Sequence, residues 1–147
     1  MTYHRPWNAY RQISAQTASP GQLVLMLYDG AVQFLEKSLS GFDLEDPAES
    51  NEMISNNVIR AQNIINELNV TLNLEAGGQL AQTLRRLYHY MDEQLMQSNL
   101  RKSPEGIRDT LRRLTTLRDA WREIVHRRVP ESASADPNEV RSLCACG

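Results

Sequence analysis

Apolar residues recur at intervals of three and four in four separate stretches of the chain, which is the spacing of amphipathic helices. The first stretch begins with a complete start signal: Ser19 is the predicted N-cap, Pro20 takes the first helical position and Gln22 closes a capping box. Leu25 and Val32 widen its apolar arc to roughly 200°, about twice the minimum for a surface helix. This helix is therefore predicted to be nearly buried within the domain, or to keep part of its arc for another chain.

Three further stretches repeat this spacing between residues that commonly begin or end helices. Asp46 and Glu49 form a second capping-box pattern, and Gly77-Gly78 is predicted to end the second helix because glycine adopts a positive φ readily. The predicted helices span about residues 20–40, 47–75, 79–100 and 103–129. Because the connections are short, neighbouring helices should be antiparallel. The predicted fold class is all-α, an antiparallel up-down four-helix bundle.

The same spacing predicts which side chains face the interior of the bundle. Tyr28 lies on the core face of the first helix, where its hydroxyl should find a hydrogen-bond partner. The predicted inward residues of the other helices are Met53, Ile54, Val58, Ala61, Ile65, Leu68 and Leu72, then Leu80, Leu84, Leu87, Tyr88, Met91, Leu95 and Ser98, then Ile107, Leu111, Leu114, Trp121 and Val125. Arg118 falls on the last stripe, so its guanidinium should reach solvent along its stem or pair with a carboxylate of a neighbouring helix.

The two ends of the chain differ from the predicted bundle, which occupies residues 19–129. Residues 1–18 place Tyr10 and Ile13 in a polar setting, too short and irregular for a fifth core helix. We expect this segment to be a cap that lies across an apolar groove. Residues 130–147 are rich in Pro, Ser and Ala, a composition that predicts a disordered tail.

Composition narrows the class of protein. The formal net charge is −2 and 23% of residues are charged, so the chain as a whole does not favour polyanions. No apolar run approaches the length of a membrane-spanning helix, and residues 1–10 lack the apolar core of a signal peptide. The cysteines, Cys144 and Cys146, cannot build a disulfide framework. These features favour a reducing cytosol.

Motifs for catalysis or metal binding are weak. Glu123 and His126 supply one Glu-x-x-His spacing, whereas a di-iron bundle needs two such pairs and further inward glutamates. His4 and His89 lie in unrelated segments, and nothing orients a base near the cysteines. The arginines of the fourth helix alternate with acidic residues at i, i+4 spacing, as on a solvated face. We expect no catalytic residues, no metal site, no cofactor and no nucleic-acid partner.

Surplus apolar residues on the second helix are the best candidates for a binding surface. Ile59 and Val70 lie opposite its core stripe, and Ile64 flanks that stripe. The helix is rich in asparagines, among them Asn56, Asn57, Asn63, Asn66 and Asn69, where an exposed helix usually carries charges, and this pattern favours a groove that accepts a partner helix. Single exposed aliphatic residues are also common on ordinary surfaces, so that alternative stays open.

Blocks of residues along the chain resemble the FliS family, the flagellar export chaperones that bind flagellin. They run in the family's order over roughly residues 7–128. The matching blocks are Tyr10, residues 17–20 (TASP), 26–31 (MLYDGA), 61–68 (AQNIINEL), 71–73 (TLN), 77–78 (GG), 87–91 (LYHYM) and 117–121 (LRDAW). The blocks at 26–31 and 87–91 are each specific.

The resemblance implies a bacterial cytosolic chaperone that binds the disordered C-terminal segment of flagellin. It would prevent premature polymerisation and deliver the client to the export-gate protein FlhA of the flagellar type III apparatus. By position, the client-binding residues would be Tyr10, Ile13, Leu25, Val32, Ile59, Ile64, Leu68 and Val70, with Tyr10 and Ile13 in the displaceable cap. No membrane insertion is implied, and a weak homodimer is compatible with the apolar surface. The alternative is a self-associating helical protein without a flagellin client.

Overall fold

The computed structural model describes residues 19–128, and within that range the regular structure is entirely helical. The helices are α1 (Pro20–Gly41), α2 (Pro47–Val70), α3 (Leu74–Arg101) and α4 (Glu105–Arg128). Each helix packs against its neighbours in sequence, and α4 returns to pack against α1. The predicted four-helix bundle is confirmed. The predicted cap, residues 1–18, and the predicted tail, residues 130–147, lie outside the described residues.

The start of each of the first two helices follows from its capping residue. The Ser19 Oγ accepts from the Gln22 amide at 3.2 Å, and the Gln22 side chain accepts from the Ser19 amide at 2.9 Å, so the predicted capping box is present. Asp46 accepts from the Glu49 amide at 2.9 Å and begins α2. At the α1–α2 turn, a Cβ on Gly41 would lie 3.0 Å from Ile54 Cγ1, closer than ordinary van der Waals contact, so a larger residue here would require Ile54 to shift.

The boundary between α2 and α3 differs from the prediction. The second helix ends at Val70 instead of continuing to about residue 75. Thr71 Oγ1 donates to the Leu68 carbonyl at 2.8 Å, and Asn73 Oδ1 accepts from the Ala76 amide at 3.1 Å as the N-cap of α3. These local side-chain bonds compete with helix continuation. The glycine pair therefore lies inside α3, where Gly78 (φ +58°) breaks the first turns instead of ending α2.

A second difference concerns the inward stripes. Leu80 is 55% exposed and Met53 is 37% exposed, although both were predicted to face the core. In each case the adjacent residue, Ala81 or Ile54, takes the inward position and is buried. The buried core is formed by Val24, Leu27, Tyr28, Ala31, Val32, Leu35, Ile54, Val58, Ala61, Ile64, Ile65, Leu68, Tyr88, Met91, Leu95, Ile107, Leu114, Trp121 and Val125.

Two buried hydrogen bonds tie non-adjacent parts of the chain together. Tyr28 and Tyr88 share a hydroxyl–hydroxyl bond of 2.5 Å that joins α1 to α3 across the bundle. Trp121 Nε1 donates to the Gly21 carbonyl at 2.7 Å and holds the C-terminal part of α4 against the start of α1. The expectation that the Tyr28 hydroxyl has a partner is confirmed.

Candidate functional site

In the second half of α2, one face is turned away from the core and carries an apolar residue at each end. Ile59, Asn63, Asn66 and Val70 follow one another at intervals of four, three and four, so they form a single line along the helix surface. Ile59 is 42% exposed and Val70 is 70% exposed. We call these four residues the α2 stripe. Its spacing is that of a helix face that receives a partner helix.

The α2 stripe borders a groove between α2 and α3, which we call the α2–α3 groove. It has a volume of about 360 Å³ and is lined by Ile59, Gln62, Asn63, Ile65, Asn66, Asn69, Tyr88, His89 and Asp92. Gln62 Nε2 donates to Asp92 Oδ1 at 3.1 Å across the groove. Nearer the other end of the helix pair, Ser55 Oγ donates to Asn99 Oδ1 at 2.9 Å. These two bonds fix the antiparallel register of α2 and α3.

The lining of the α2–α3 groove combines apolar packing with neutral amides. Ile65 and Tyr88 are buried residues that form part of its lining, and side-chain amides from α2 surround them. Asn69 Oδ1 is buried and accepts no hydrogen bond from the described residues. An amide both donates and accepts, and an unsatisfied buried acceptor is costly. The groove is therefore suited to a polypeptide that brings apolar side chains together with backbone N–H groups.

Tyr88 belongs to both the groove and the core. Its ring lines the groove while its hydroxyl bonds to Tyr28 in the interior. Burial raises the pKa of Tyr28 to about 12, although its hydrogen bond with Tyr88 acts in the opposite direction. Burial, with Tyr28 beside it, also raises the pKa of Tyr88 well above its usual value. Both phenols are neutral at physiological pH, so the pair is a structural link.

The structure separates the predicted client-binding residues into distinct groups. Ile59 and Val70 are exposed, as predicted. Leu25 is only partly buried and packs against the core. Tyr10 and Ile13 lie outside the described residues.

Three predicted client-binding residues lie in the core: a surface position is wrong for Val32 and Ile64, whereas Leu68 is buried as its place on the inward stripe predicted. Val32 and Ile64 are each 3% exposed and Leu68 is 1% exposed, so all three belong to the core. The reason is that α1 packs against both α2 and α4, while α2 packs against both α1 and α3. Each of these two helices therefore buries a wider part of its circumference than packing against a single helix requires. The broad apolar arc of α1 is explained by this double packing.

Asp29 and Arg118 are linked across the α1–α4 contact. Arg118 Nε lies 3.7 Å from Asp29 Oδ1, and Arg122 Nη2 lies 3.3 Å from the same oxygen. Arg118 also approaches Asp119 at 3.3 Å. Of the two positions expected for the Arg118 guanidinium, the structure shows pairing with a carboxylate of a neighbouring helix.

The residues considered for metal chemistry lie apart from the groove. Glu123 and His126 are exposed near the end of α4, and Glu123 pairs with Arg127 on the same helix. Within residues 19–128, no group of three or more His, Cys, Asp and Glu side chains is placed to hold a metal ion. The same part of the chain contains no helix long and apolar enough to cross a membrane.

Comparison with known proteins identifies the family of the chain. The family model described as "Flagellar protein FliS" matches residues 3–128. The chain belongs to the FliS family. The resemblance inferred from the sequence blocks is therefore confirmed, and with it membership of a family of flagellar secretion chaperones.

Individual FliS relatives match most of the chain. The flagellar secretion chaperone FliS of Bacillus subtilis is 36% identical over 125 residues, which cover 85% of this chain and 90% of that protein. FliS of Salmonella typhimurium is 36% identical over 121 residues, covering 79% of this chain and 87% of the relative. FliS of Escherichia coli is 34% identical over 120 residues, covering 78% and 85%.

Several groove residues were not identified from the sequence. Gln62, Asn69 and Asp92 line the α2–α3 groove but were not predicted to bind a partner. The asparagine content of α2 was the available signal for the amide lining. Asp92 lies on another helix, and only the register of α2 against α3 brings it to the groove.

Proposed function

We propose that this FliS family member is a cytosolic export chaperone that binds the disordered C-terminal segment of flagellin in the α2–α3 groove. Binding keeps flagellin from polymerising early and delivers it to the flagellar type III export apparatus through the gate protein FlhA. The observation that carries the proposal is an exposed α2 stripe beside an amide-lined groove. On a bundle of this family, that surface fits a segment that folds as it binds.

The dimensions of the α2 stripe suit a short amphipathic helix. Ile59 and Val70 are separated by eleven positions on one helix, or about 16 Å along its axis. A client helix of three turns would place apolar side chains against both. Covering them removes apolar surface from water at roughly 25 cal/mol per Å², which helps offset the ordering entropy of the client.

The side-chain amides of the groove can form hydrogen bonds with the polar backbone groups of the same client. The ends of a short helix leave backbone N–H and carbonyl groups without partners, and Asn63, Asn66 and Asn69 offer both donors and acceptors. Because these amides are neutral and the carboxylate of Asp92 accepts from Gln62, binding should depend only weakly on salt. A nucleic-acid interface would show a steep dependence.

In this proposal the protein has no catalytic step and needs no nucleotide, cofactor or metal. Client release follows from competition or from docking at the export gate. The segment that contains Tyr10 and Ile13 caps the groove until the client displaces it, as the family resemblance implies. Leu25, partly buried, is a secondary client contact.

The experiment is a calorimetric titration of the full chain with the C-terminal segment of a flagellin from the same organism. We expect one client per chaperone and a negative heat-capacity change. The double variant Ile59→Asp/Val70→Asp should weaken binding at least about tenfold. Leu44→Asp is the matched control, because Leu44 is 37% exposed in the α1–α2 connection, away from the groove.

Two outcomes would contradict the proposal. Equal weakening by the control variant would show that the stripe is not the site. Absence of any complex with a soluble client would favour the self-associating helical protein instead. Light scattering during the titration distinguishes the chaperone from the self-associating protein, since a chaperone should replace any weak homodimer with a heterodimer.

A further inference from the structure

A second groove lies on the other side of α3, between α3 and α4. It has a volume of about 420 Å³ and is lined by Leu87, Asp109, Arg112, Arg113, Thr116 and Leu117. We call it the α3–α4 groove. Leu87 and Leu117 are partly buried against the core and form its apolar base. Nothing in its lining is shared with the α2–α3 groove.

The apolar base extends beyond the groove toward the end of α4. Tyr90 of α3 lies 3.5 Å from Asp109 of α4, and the two helices are antiparallel. Leu80, ten positions earlier on α3, is therefore level with about residue 119 of α4, and Ile124 lies roughly 7 Å closer to the end of α4. Leu80 is 55% exposed and Ile124 is 38% exposed. Leu80 and Ile124 lie seven positions from Leu87 and Leu117, a spacing that puts each on the same helix face as that groove residue, so an apolar strip continues from the groove toward the end of α4.

Charge distinguishes this side of the bundle from the other. Residues 19–73 contain eight acidic and two basic residues, whereas residues 74–128 contain seven acidic and eleven basic residues. At the groove, Arg113 and Arg112 both bond to Asp109, at 2.9 and 3.0 Å, and hold its pKa below the usual value. Two guanidinium groups share one carboxylate, so the rim carries surplus positive charge and attracts an acidic segment.

The chain itself contains a segment of the matching character. Residues 130–147 follow α4 and lie beyond the part matched by the family model, which ends at residue 128. They hold three acidic residues, Glu131, Asp136 and Glu139, and one basic residue, Arg141. Val140 and Leu143 are three positions apart, a spacing that puts both on one side of a helical turn.

This segment is long enough to reach the groove. From Arg128 back to Arg112 the helix axis covers about 24 Å, at 1.5 Å per residue. The twelve residues from 129 to 140 can span up to about 40 Å when extended. Val140 can therefore reach any point of the apolar strip between Ile124 and the arginine rim.

We propose that residues 130–147 dock in the α3–α4 groove, with Val140 and Leu143 on its apolar base and the acidic residues beside Arg112 and Arg113. Tethering to α4 raises the local concentration of the segment, so modest contacts suffice for occupancy. This proposal is independent of flagellin binding in the α2–α3 groove.

The two cysteines of the sequence, Cys144 and Cys146, allow a direct test in the full chain. A nitroxide on Cys146, in a Cys144→Ser background, should broaden the amide resonances of Leu87 and Leu117. It should leave those of Ile59 and Val70 sharp, and reduction of the nitroxide should restore all intensities. Mixing labelled unenriched protein with unlabelled enriched protein should abolish the broadening, because the contact is within one chain.

Two sets of variants test the charge argument. Glu131→Gln/Asp136→Asn/Glu139→Gln alters the tail without touching the bundle and should abolish the broadening. Arg112→Glu/Arg113→Glu should also abolish the broadening. The control Arg101→Glu, at the C-terminal end of α3, should leave the broadening intact. Broadening at Ile59, broadening only between chains, or none at all would each overturn the proposal, as would insensitivity to the tail variants.

Discussion

The two faces of α2 carry similar residues but have different surroundings. On the core face, Ile54 and Val58 are 1% and 0% exposed and pack within the bundle. On the groove face, Ile59 and Val70 are 42% and 70% exposed. The difference is produced by the neighbours, because α1 and α3 each cover part of α2 and leave the α2 stripe open. One helix thus supplies both stability and a candidate binding surface, and substitutions should separate the two roles.

The largest expected effect is on stability, from Ile64→Asp. Ile64 is 3% exposed, so a carboxylate there would be buried without a partner and the packed side chain would be lost. We expect a loss of about 4 kcal/mol in the free energy of unfolding. The matched variant is Ile59→Asp, five positions earlier on the groove face, which should change stability by less than about 0.5 kcal/mol. Urea unfolding, followed by the circular dichroism signal of the helices, measures the free energy of unfolding of both variants.

Equal losses from the Ile59 and Ile64 variants would break the comparison between the two faces. A stable Ile64→Asp protein would show that this residue is not part of the core.

A smaller effect is expected at Tyr88 of α3, which belongs to both the groove and the core. Tyr88→Phe keeps the ring that lines the groove but leaves the buried Tyr28 hydroxyl without its partner. We expect a loss of about 1–3 kcal/mol with flagellin affinity unchanged. Tyr28→Phe/Tyr88→Phe should be less destabilising than the sum of the single variants, since it removes both hydroxyls. Additive losses in a double-mutant cycle would contradict a coupled pair.

The same pair predicts a pH dependence at alkaline pH. Burial raises the pKa of Tyr28 from 10.0 to about 12 in the folded protein, so the folded state holds its proton longer than the unfolded state. The contribution of this pair to the unfolding free energy should therefore be level below pH 10 and fall as the pH rises from 10 toward 12. In Tyr28→Phe/Tyr88→Phe this fall should be reduced. An unchanged slope would exclude the pair as its source.

Much of the fold could be predicted from local sequence. The start of α1 depends on Ser19, Pro20 and Gln22, which are neighbours in the chain, and its capping box forms as expected. The inward position of Tyr28 followed from helical spacing alone. The α2–α3 boundary could not be placed in the same way, because the capping by Asn73 competes with a glycine pair that looks like a stop signal.

The candidate site was harder to predict because it depends on contacts between helices. Val32 and Ile64 look like surplus apolar residues when each helix is considered with one neighbour. They are buried because α1 and α2 each have two. Ile59 and Val70 could be predicted as exposed because they lie opposite the core stripe. Asp92 reaches the groove through the register of two helices, which residue spacing within one helix does not reveal.

The most direct test of the central claim is methyl NMR of the full chain during titration with the flagellin C-terminal segment. The methyl groups of Ile59 and Val70 should shift with the stoichiometry of the complex, while those of Ile54 in the core and Ile124 on α4 stay in place. If Ile124 shifts while Ile59 and Val70 do not, the client binds elsewhere and the α2–α3 groove is not its site.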